Sequence, residues 1–339
     1  MKIAILANAF PPAQTGGASR IAAWQAGILE QAGHQVHVWH PPIPWFDKPI
    51  FLRLYYHLAD LLPRQDLVRE IRAWQPEVLI THNLTGCGFA TARMIQRRGV
   101  RWIHVLHDVQ LFEPSGRMTD QASNAWRKAW GFLRRLSLGK PNTVLSPTKW
   151  LLDQHRQYGF FQDVETAVLP NPAPPVVFAM RMPSPKPKLF MVGATREKGI
   201  ELALELLERV PDIELDVVGE GMTEGRVRFL GRLDTVQIME KMRESDVLLV
   251  PSQIAENQPT VILEASSVGL PVIASDVGGI KETLNGAGVL CPADDIESWV
   301  RAVAALRDPS VYADQASKMY ELARLHDPKE YADHFIKNL

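Results

Sequence analysis

Short apolar runs alternate with stretches of helical period along this chain, and the alternation stops once, at a proline-dense segment, before it resumes. Ile3-Ala4-Ile5-Leu6 predicts a strand, Gly16-Gly17 a tight loop, residues 19–32 a helix, and Gln35-Val36-His37-Val38-Trp39 the next strand. The unit recurs in Val78-Leu79-Ile80-Thr81, a helix over 89–98 and a strand over 101–106, then in Thr143-Val144-Leu145-Ser146 with a helix from Thr148. Such alternation calls for a parallel sheet wrapped by helices on both faces.

Seven prolines fall between Pro170 and Pro187, a density that removes backbone donors and halts regular structure. The expected boundary lies there, with one domain over 1–183 and a second over 184–327. Beyond it come Leu189-Phe190-Met191-Val192, a helix over 200–209, and strands over 213–218, 227–230 and 247–250, so the second half is also a doubly wound sheet. A chain of 339 residues, 46% hydrophobic and 22% charged, holds enough apolar material for two cores.

Chemistry concentrates where Val247-Leu248-Leu249-Val250-Pro251 opens at Ser252. Glu256 and Glu264 follow with seven residues between them, the first in a loop and the second on a helix. In an open parallel sheet, ligands bind beyond the carboxyl ends of the strands, which is where a polyhydroxylated ligand meets both acids. Gly193-Ala194-Thr195-Arg196-Glu197-Lys198-Gly199 follows the first strand of the second half, placing two cations in a turn. Gly16-Gly17 ends the first strand-to-helix loop, where a side chain would obstruct a phosphate approaching the helix start. Gly278-Gly279 follows a later strand and reads the same way.

The stretch 251–282, with its Glu-x7-Glu pair and the following Gly269-Leu270-Pro271-Val272-Ile273-Ala274-Ser275-Asp276-Val277-Gly278-Gly279, resembles the retaining, metal-independent glycosyltransferases of the GT-B fold, family 4, group 1. The resemblance implies an α/β architecture of two doubly wound Rossmann-like domains facing a central cleft, with the last helix, 328–339, crossing back to the first. It implies a hexosyltransferase-type enzyme of polysaccharide biosynthesis. A sugar would move from a nucleoside-diphosphate donor, a UDP- or GDP-sugar, to a hydroxyl of a glycan or lipid-linked glycan with retention, using no metal and no other cofactor.

Carried over by motif, Glu256 faces the transferred sugar and Glu264 binds the ribose hydroxyls. The backbone of Asn257, Gln258, Pro259 and Thr260 holds sugar and phosphate. Lys198 matches the family's phosphate-binding Lys, but Ala194 stands where an Arg is expected and the turn is one residue short. Arg196 is then expected to reach the same oxygens from a shifted position, since a cation lost from a developing diphosphate slows transfer strongly. His107, followed by Asp108, closes a strand and points into the cleft, where the family often has a histidine on the sugar. Gly16 and Gly17 resemble the family's glycine loop, serving either the donor diphosphate or the acceptor. Gly219, Gly231 and Arg232 lie near the nucleotide.

Two other readings fit the same residues: a homologue that binds nucleotide or glycan without transfer, as Ala194 suggests, and a sugar-nucleotide epimerase of similar fold. Gly219-Glu220-Gly221 is a poor dinucleotide fingerprint, because its next glycine is Gly225 and a strand follows instead of a helix. A net charge of -1 gives no reason to expect nucleic acid. Cys87 and Cys291 are isolated thiols, and strand alternation sends His37 away from His34 and His40, so a metal there is not expected.

The segment that opens at Trp126 and closes at Leu138 sets Trp126, Ala129, Trp130, Leu133 and Leu136 on one helical arc and Arg127, Lys128, Arg134 and Arg135 on the opposite one. Either the basic face lies beside aromatic residues on anionic lipid, giving peripheral membrane contact, or the apolar arc packs on the sheet and the cations are solvated. Residues 45–56, rich in aromatic and branched side chains, read as acceptor-side loop or core. No apolar stretch approaches the roughly 18 residues that span a bilayer, so the expected location is the cytoplasm or the inner face of a membrane.

Overall fold

The computed structural model describes residues 1–12, 16–41, 49–118, 123–179 and 181–339, without the side chains of Ile50 and Arg53. It divides into two compact units, Met1–Leu169 with Ala332–Leu339, and Pro170–Tyr331.

The first unit contains strands β1 (Lys2–Leu6), β2 (Gln35–Trp39), β3 (Val78–Thr81), β4 (Arg101–Val105), β5 (Thr143–Ser146) and β6 (Glu165–Val168). Its helices are α1 (Gly17–Gln31), α2 (Ile50–Ala59), α3 (Gln65–Trp74), α4 (Thr91–Gln96), α5 (Asn124–Leu138) and α6 (Lys149–Gln157). The six strands are parallel in the order β2-β1-β3-β4-β5-β6. The order reverses direction between β1 and β3. β3 and β5 are buried at every position, as strands covered on both faces must be, whereas the edge strand β2 alternates.

The second unit contains β7 (Lys188–Val192), β8 (Glu214–Val218), β9 (Val227–Phe229), β10 (Val247–Val250), β11 (Val272–Ser275) and β12 (Val289–Cys291). Its helices are α7 (Ile200–Arg209), α8 (Thr235–Glu244), α9 (Thr260–Ser267), α10 (Ile280–Leu284), α11 (Ile296–Ala305) and α12 (Pro309–Leu325), and α13 (Pro328–Lys337) closes the chain. This sheet is parallel in the order β12-β11-β10-β7-β8-β9, reversing between β7 and β10. Leu189, Met191, Leu215, Val217 and Ile273 pack one face with α7 and α11, while Phe190, Leu248, Val250 and Ala274 pack the other with α8, α9 and α12. Asp216 is the charged exception inside β8. Arg228 Nε reaches it at 2.7 Å and Lys188 Nζ at 3.2 Å, so the buried carboxylate is paired on two sides.

The division falls after Leu169, where the sequence placed it after residue 183. Described residues of the proline-rich stretch are strapped to the second unit: Ala173 N donates to His326 O at 2.9 Å, Val177 N to Ser267 O at 2.8 Å and Ala179 N to Tyr320 Oη at 2.9 Å. Arg181 adds bonds to the carbonyls of Met242, Ser245 and Val268. Proline removed the ladder hydrogen bonds, and the strap satisfies its remaining donors individually. At the other end of the chain, Arg101 donates to Asn338 O at 3.2 Å within the first unit, and Phe335 is fully buried.

The polarity of α5 is the reverse of the packed-apolar alternative. Arg127 and Arg134 are buried, and of the apolar arc only Trp130 goes inside with them; Trp126, Leu133 and Leu136 are exposed. Partners explain the inversion. Arg127 Nε pairs with buried Glu113 at 3.1 Å, and the Arg134 guanidinium stacks over Phe89 at 4.3 Å and Trp130 at 5.1 Å while donating to Gln110 O. Within 45–56, residues 45–48 lie outside the described residues and the rest is mostly α2, whose Phe51, Leu52, Leu54 and Tyr55 are exposed and not core.

The buried histidines should make the first unit acid-sensitive. Burial lowers His104 to about 3 and His155 to about 4, and pushes His82 and His107 down as well, while it raises Asp60 and Asp108 to about 6. Between about pH 6.5 and 4 the unfolded chain binds protons at four histidines that the folded unit refuses, against two carboxyls that act oppositely, so stability falls as pH falls. Each uncompensated proton contributes about 1.4 kcal/mol per pH unit. Eight of the nine tryptophans lie in residues 1–169, so urea melts followed by their fluorescence report this unit. The midpoint should drop from pH 7 to pH 5, and a flat or rising midpoint would contradict the buried neutral imidazoles.

Candidate active site

In the second unit, the ends of β7 and β10 stand side by side where the strand order reverses, the place in an open parallel sheet where loops part and a ligand enters. The turn after β7 carries Lys198 and the loop after β10 carries Glu256. Lys198 Nζ lies 2.8 Å from both Oε1 and Oε2 of Glu256. The Ser252 hydroxyl, at the mouth of β10, donates to the same carboxylate. Glu256 is 15% exposed and Lys198 43%, so the pair is open to solvent on the lysine side.

Backbone contacts fix both partners. Gly199 ends the turn with φ +83, and a Cβ there would lie 1.8 Å from Pro251 O, so only glycine lets the turn rest on the end of β10. Gln253 N donates to Glu197 O at 2.9 Å, tying the two loops together. From the β11 side, Gly279 N donates to Glu256 O at 2.7 Å, and a Cβ on Gly278 would lie 2.3 Å from that oxygen. Gly278-Gly279 therefore acts as a backbone cradle for Glu256.

Glu264 sits one turn into α9 and is buried. α9 starts after Pro259 with no side-chain cap, which leaves the positive end of its dipole facing the loop that carries Asn257 and Gln258. The Gln258 side chain is committed elsewhere, its Oε1 accepting from Asn171 N at 2.7 Å. Gly219 and Gly231 bond each other, N to O at 2.8 and 3.1 Å, beyond the end of β8, where Gly219 packs against Ala194; Arg232 is exposed. Arg196 is not gathered into the cluster. Its Nε lies 3.3 Å from Glu201, and the side chain is 83% exposed.

The first unit has its own polar cluster, at the ends of β3 and β4. His82 Nδ1 and His107 Nε2 share a hydrogen bond of 2.8 Å, Asn83 Nδ2 donates to Asp108 at 2.7 Å, and the Thr85 hydroxyl donates to Gln110 at 2.7 Å. Burial lowers His107 to about 4, so the ring is a neutral hydrogen-bonding group at pH 7. Gly16 and Gly17 are exposed at the start of α1, where Gly16 exchanges hydrogen bonds with Ser19, and a Cβ on Gly16 would meet nothing.

Sequence reasoning named Glu256 and Lys198, which touch, but gave no role to Ser252, His82 or Asn83. The signal for the latter two was available. Three polar pairs at a constant separation of 25 residues follow two adjacent in-register strands.

Comparison with known proteins assigns the chain. Residues 15–175 match the family described as Glycosyltransferase Family 4, and residues 186–308 the one described as Glycosyl transferases group 1. The chain belongs to the GT-B glycosyltransferases. This glycosyltransferase is 26% identical over 270 residues to the glycogen synthase of Mycobacterium tuberculosis, a match covering 73% of this chain and 64% of that relative, so it spans less than two thirds of that relative's length. It is 24% identical over 330 residues to a GDP-mannose-dependent alpha-mannosyltransferase of Mycolicibacterium smegmatis, covering 88% of this chain and 86% of the relative. Among solved structures, sucrose-phosphate synthase from Thermosynechococcus elongatus superposes with a TM-score of 0.77 at 18% identity, covering 99% and 97% of the two chains. Anabaena HepE in complex with UDP-glucose does so with 0.71 at 16%, covering 100% and 99%.

The glycine cradle makes a contrast that can be measured. Gly278→Ala in this glycosyltransferase should lose about 2 kcal/mol or more of stability, from both the positive φ and the clash with Glu256 O. Gly16→Ala has no neighbour to meet and should stay within about 0.5 kcal/mol of the parent. Equal thermal midpoints for the two variants would sink the assignment of Gly278 as the support of Glu256.

Proposed function

We propose that this glycosyltransferase is a retaining, metal-independent hexosyltransferase that takes a sugar from a nucleoside diphosphate and gives it to a hydroxyl of a glycan or lipid-linked glycan. The reading rests on the Lys198–Glu256 pair at the point where the strand order of the second unit reverses. A UDP- or GDP-sugar is the donor class, supported by the UDP-glucose held by HepE and by the GDP-mannose dependence in the name of the mannosyltransferase relative. We place the reaction in the cytoplasm, on the inner membrane surface where the acceptor is lipid-linked.

In this reading the diphosphate lies along the turn after β7 and the start of α9. When the bond from the anomeric carbon to the phosphate oxygen breaks, its electron pair stays on the diphosphate, and the Lys198 ammonium and the α9 amides face that growing charge. The acceptor oxygen bonds to the anomeric carbon, and its proton passes to the departing phosphate oxygen, the strongest base formed in the step. Glu256, held by Ser252 and the Gly278-Gly279 backbone, orients sugar hydroxyls. Glu264 takes the ribose, and Gly219, Gly231 and Arg232 border the nucleotide. Arg196 joins the phosphate only by leaving Glu201. On the first unit, His107 offers a neutral imidazole to a hydroxyl, and Gly16 and Gly17 leave the start of α1 unobstructed.

Thermal-shift measurement with UDP, GDP and ADP identifies the base, since a ligand bound only by the folded form raises the midpoint. With the stabilising donor, Lys198→Met should lower kcat by about 100-fold or more with the midpoint preserved. Arg196→Met should cost less than about tenfold. NMR of the product should show the donor's anomeric configuration. Full activity in Lys198→Met, or an inverted product, overturns the mechanism.

A further inference from the structure

Ten of the 21 large hydrophobic side chains exposed among the described residues belong to α2, the turn after it and α5. These elements are neighbours: the His57 and Trp130 rings meet edge to face at 6.3 Å, and the Ser137 hydroxyl donates to Leu61 O. Phe51 is 68% exposed, Tyr55 64% and Leu62 67%; Phe132 and Leu136 are about half exposed at 49% and 57%. On α5, Trp126, Ala129, Phe132, Leu133 and Leu136 follow helical spacing into one outward stripe, opposite the buried Arg127, Arg134 and Trp130. A soluble monomer rarely concentrates its exposed apolar side chains in this way without a partner.

Charge identifies the partner. Neither helix carries an exposed carboxylate; the one acid on them or the connecting turn is Asp60, which is buried and accepts from the Gly86 and Gly88 amides at 2.9 and 2.8 Å. Lys128 is exposed, and Arg135, half-buried with its Nη1 donating to Gly159 O at 3.1 Å, lies over the Phe132 ring at 5.6 Å, so cations line one edge of the apolar stripe. Apolar and aromatic side chains edged by cations, with no acid among them, match the headgroup layer of an anionic bilayer. A second copy of the chain meeting this face about a twofold axis would bring no exposed carboxylate to those cations, because the face carries none.

We propose that α2 and α5 together form a docking face for an anionic lipid bilayer, with Phe51, Tyr55, Phe132 and Leu136 entering the interface and Lys128 and Arg135 at the headgroups. As the site that brings a lipid-linked acceptor within reach, this face rests on the functional reading above. The docking itself requires no turnover.

Flotation of the full chain with vesicles tests it. The protein should float with phosphatidylcholine vesicles containing about one third phosphatidylglycerol, and about tenfold less with phosphatidylcholine alone. Phe132→Ser with Leu136→Ser, and separately Phe51→Ser with Tyr55→Ser, should each reduce anionic flotation by about tenfold, while Lys128→Glu should weaken it more at low salt than at high. Unchanged nucleotide thermal shifts in these variants show that folding is intact. No flotation by the parent overturns the proposal, as does a dimer in solution that the Phe132→Ser, Leu136→Ser protein abolishes without vesicle binding. Flotation without sugar transfer would refute the proposed reaction and leave the docking face standing.

Discussion

Glu256 is held from three directions, and each hold belongs to a different strand end. The lysine comes from the loop after β7, the serine from the mouth of β10, and the backbone amide from the turn after β11. Parallel strands deliver all these loops to one edge of the sheet, and the reversal of strand order opens the space above that edge. A carboxylate so fixed has little freedom left to lose on binding, which is the condition for orienting a flexible polyol at low entropic cost. The direct ion pair is modest in itself because the lysine is nearly half exposed. Its importance is positional: in the proposed reaction the diphosphate would give the ammonium a second partner while Glu256 stays held by Ser252 and the cradle.

The two units apply one topology to different chemistry. In the second, charge meets charge at the reversal point. In the first, the groups beyond β3 and β4 are paired by hydrogen bonds, with burial holding His82 and His107 uncharged at pH 7 and raising Asp108 to about 6. Pairing across adjacent strand ends ties the His107 ring to His82.

Much of the fold was legible in the sequence because strands buried on both faces leave uninterrupted apolar runs, as Val247-Leu248-Leu249-Val250 does. Runs that are short or half exposed gave no such signal: β6 and β12 went unread, and α2 is too uniformly apolar to show a helical period. Glu256 and Lys198 were legible as types at a spacing. The hold on Glu256 was not, since it depends on Gly278 approaching a backbone oxygen 22 residues earlier in the chain, and nothing local to a Gly-Gly pair says what it approaches. Arg196 shows the same limit from the other side. Proximity in sequence to Lys198 suggested shared work, but a helix begins immediately after the turn, and Glu201 in its first turn takes the guanidinium.

The inverted helix α5 shows how partners override a helical wheel. Counting polarity alone puts arginine outside and tryptophan inside, yet Arg134 is buried because aromatic faces and a backbone carbonyl receive it, and Asp60, Asp108 and Glu113 act on it through space. Burial lowers the guanidinium only to about 10, so it stays charged at pH 7, and the Ser137 hydroxyl on the same helix bonds Leu61 O in the turn after α2. Once the basic face is used in this way, the apolar stripe has nowhere to go but out. An interior held by paired charge and an exterior left apolar are thus two consequences of one packing decision, and the second gives the helix a surface that water alone does not satisfy.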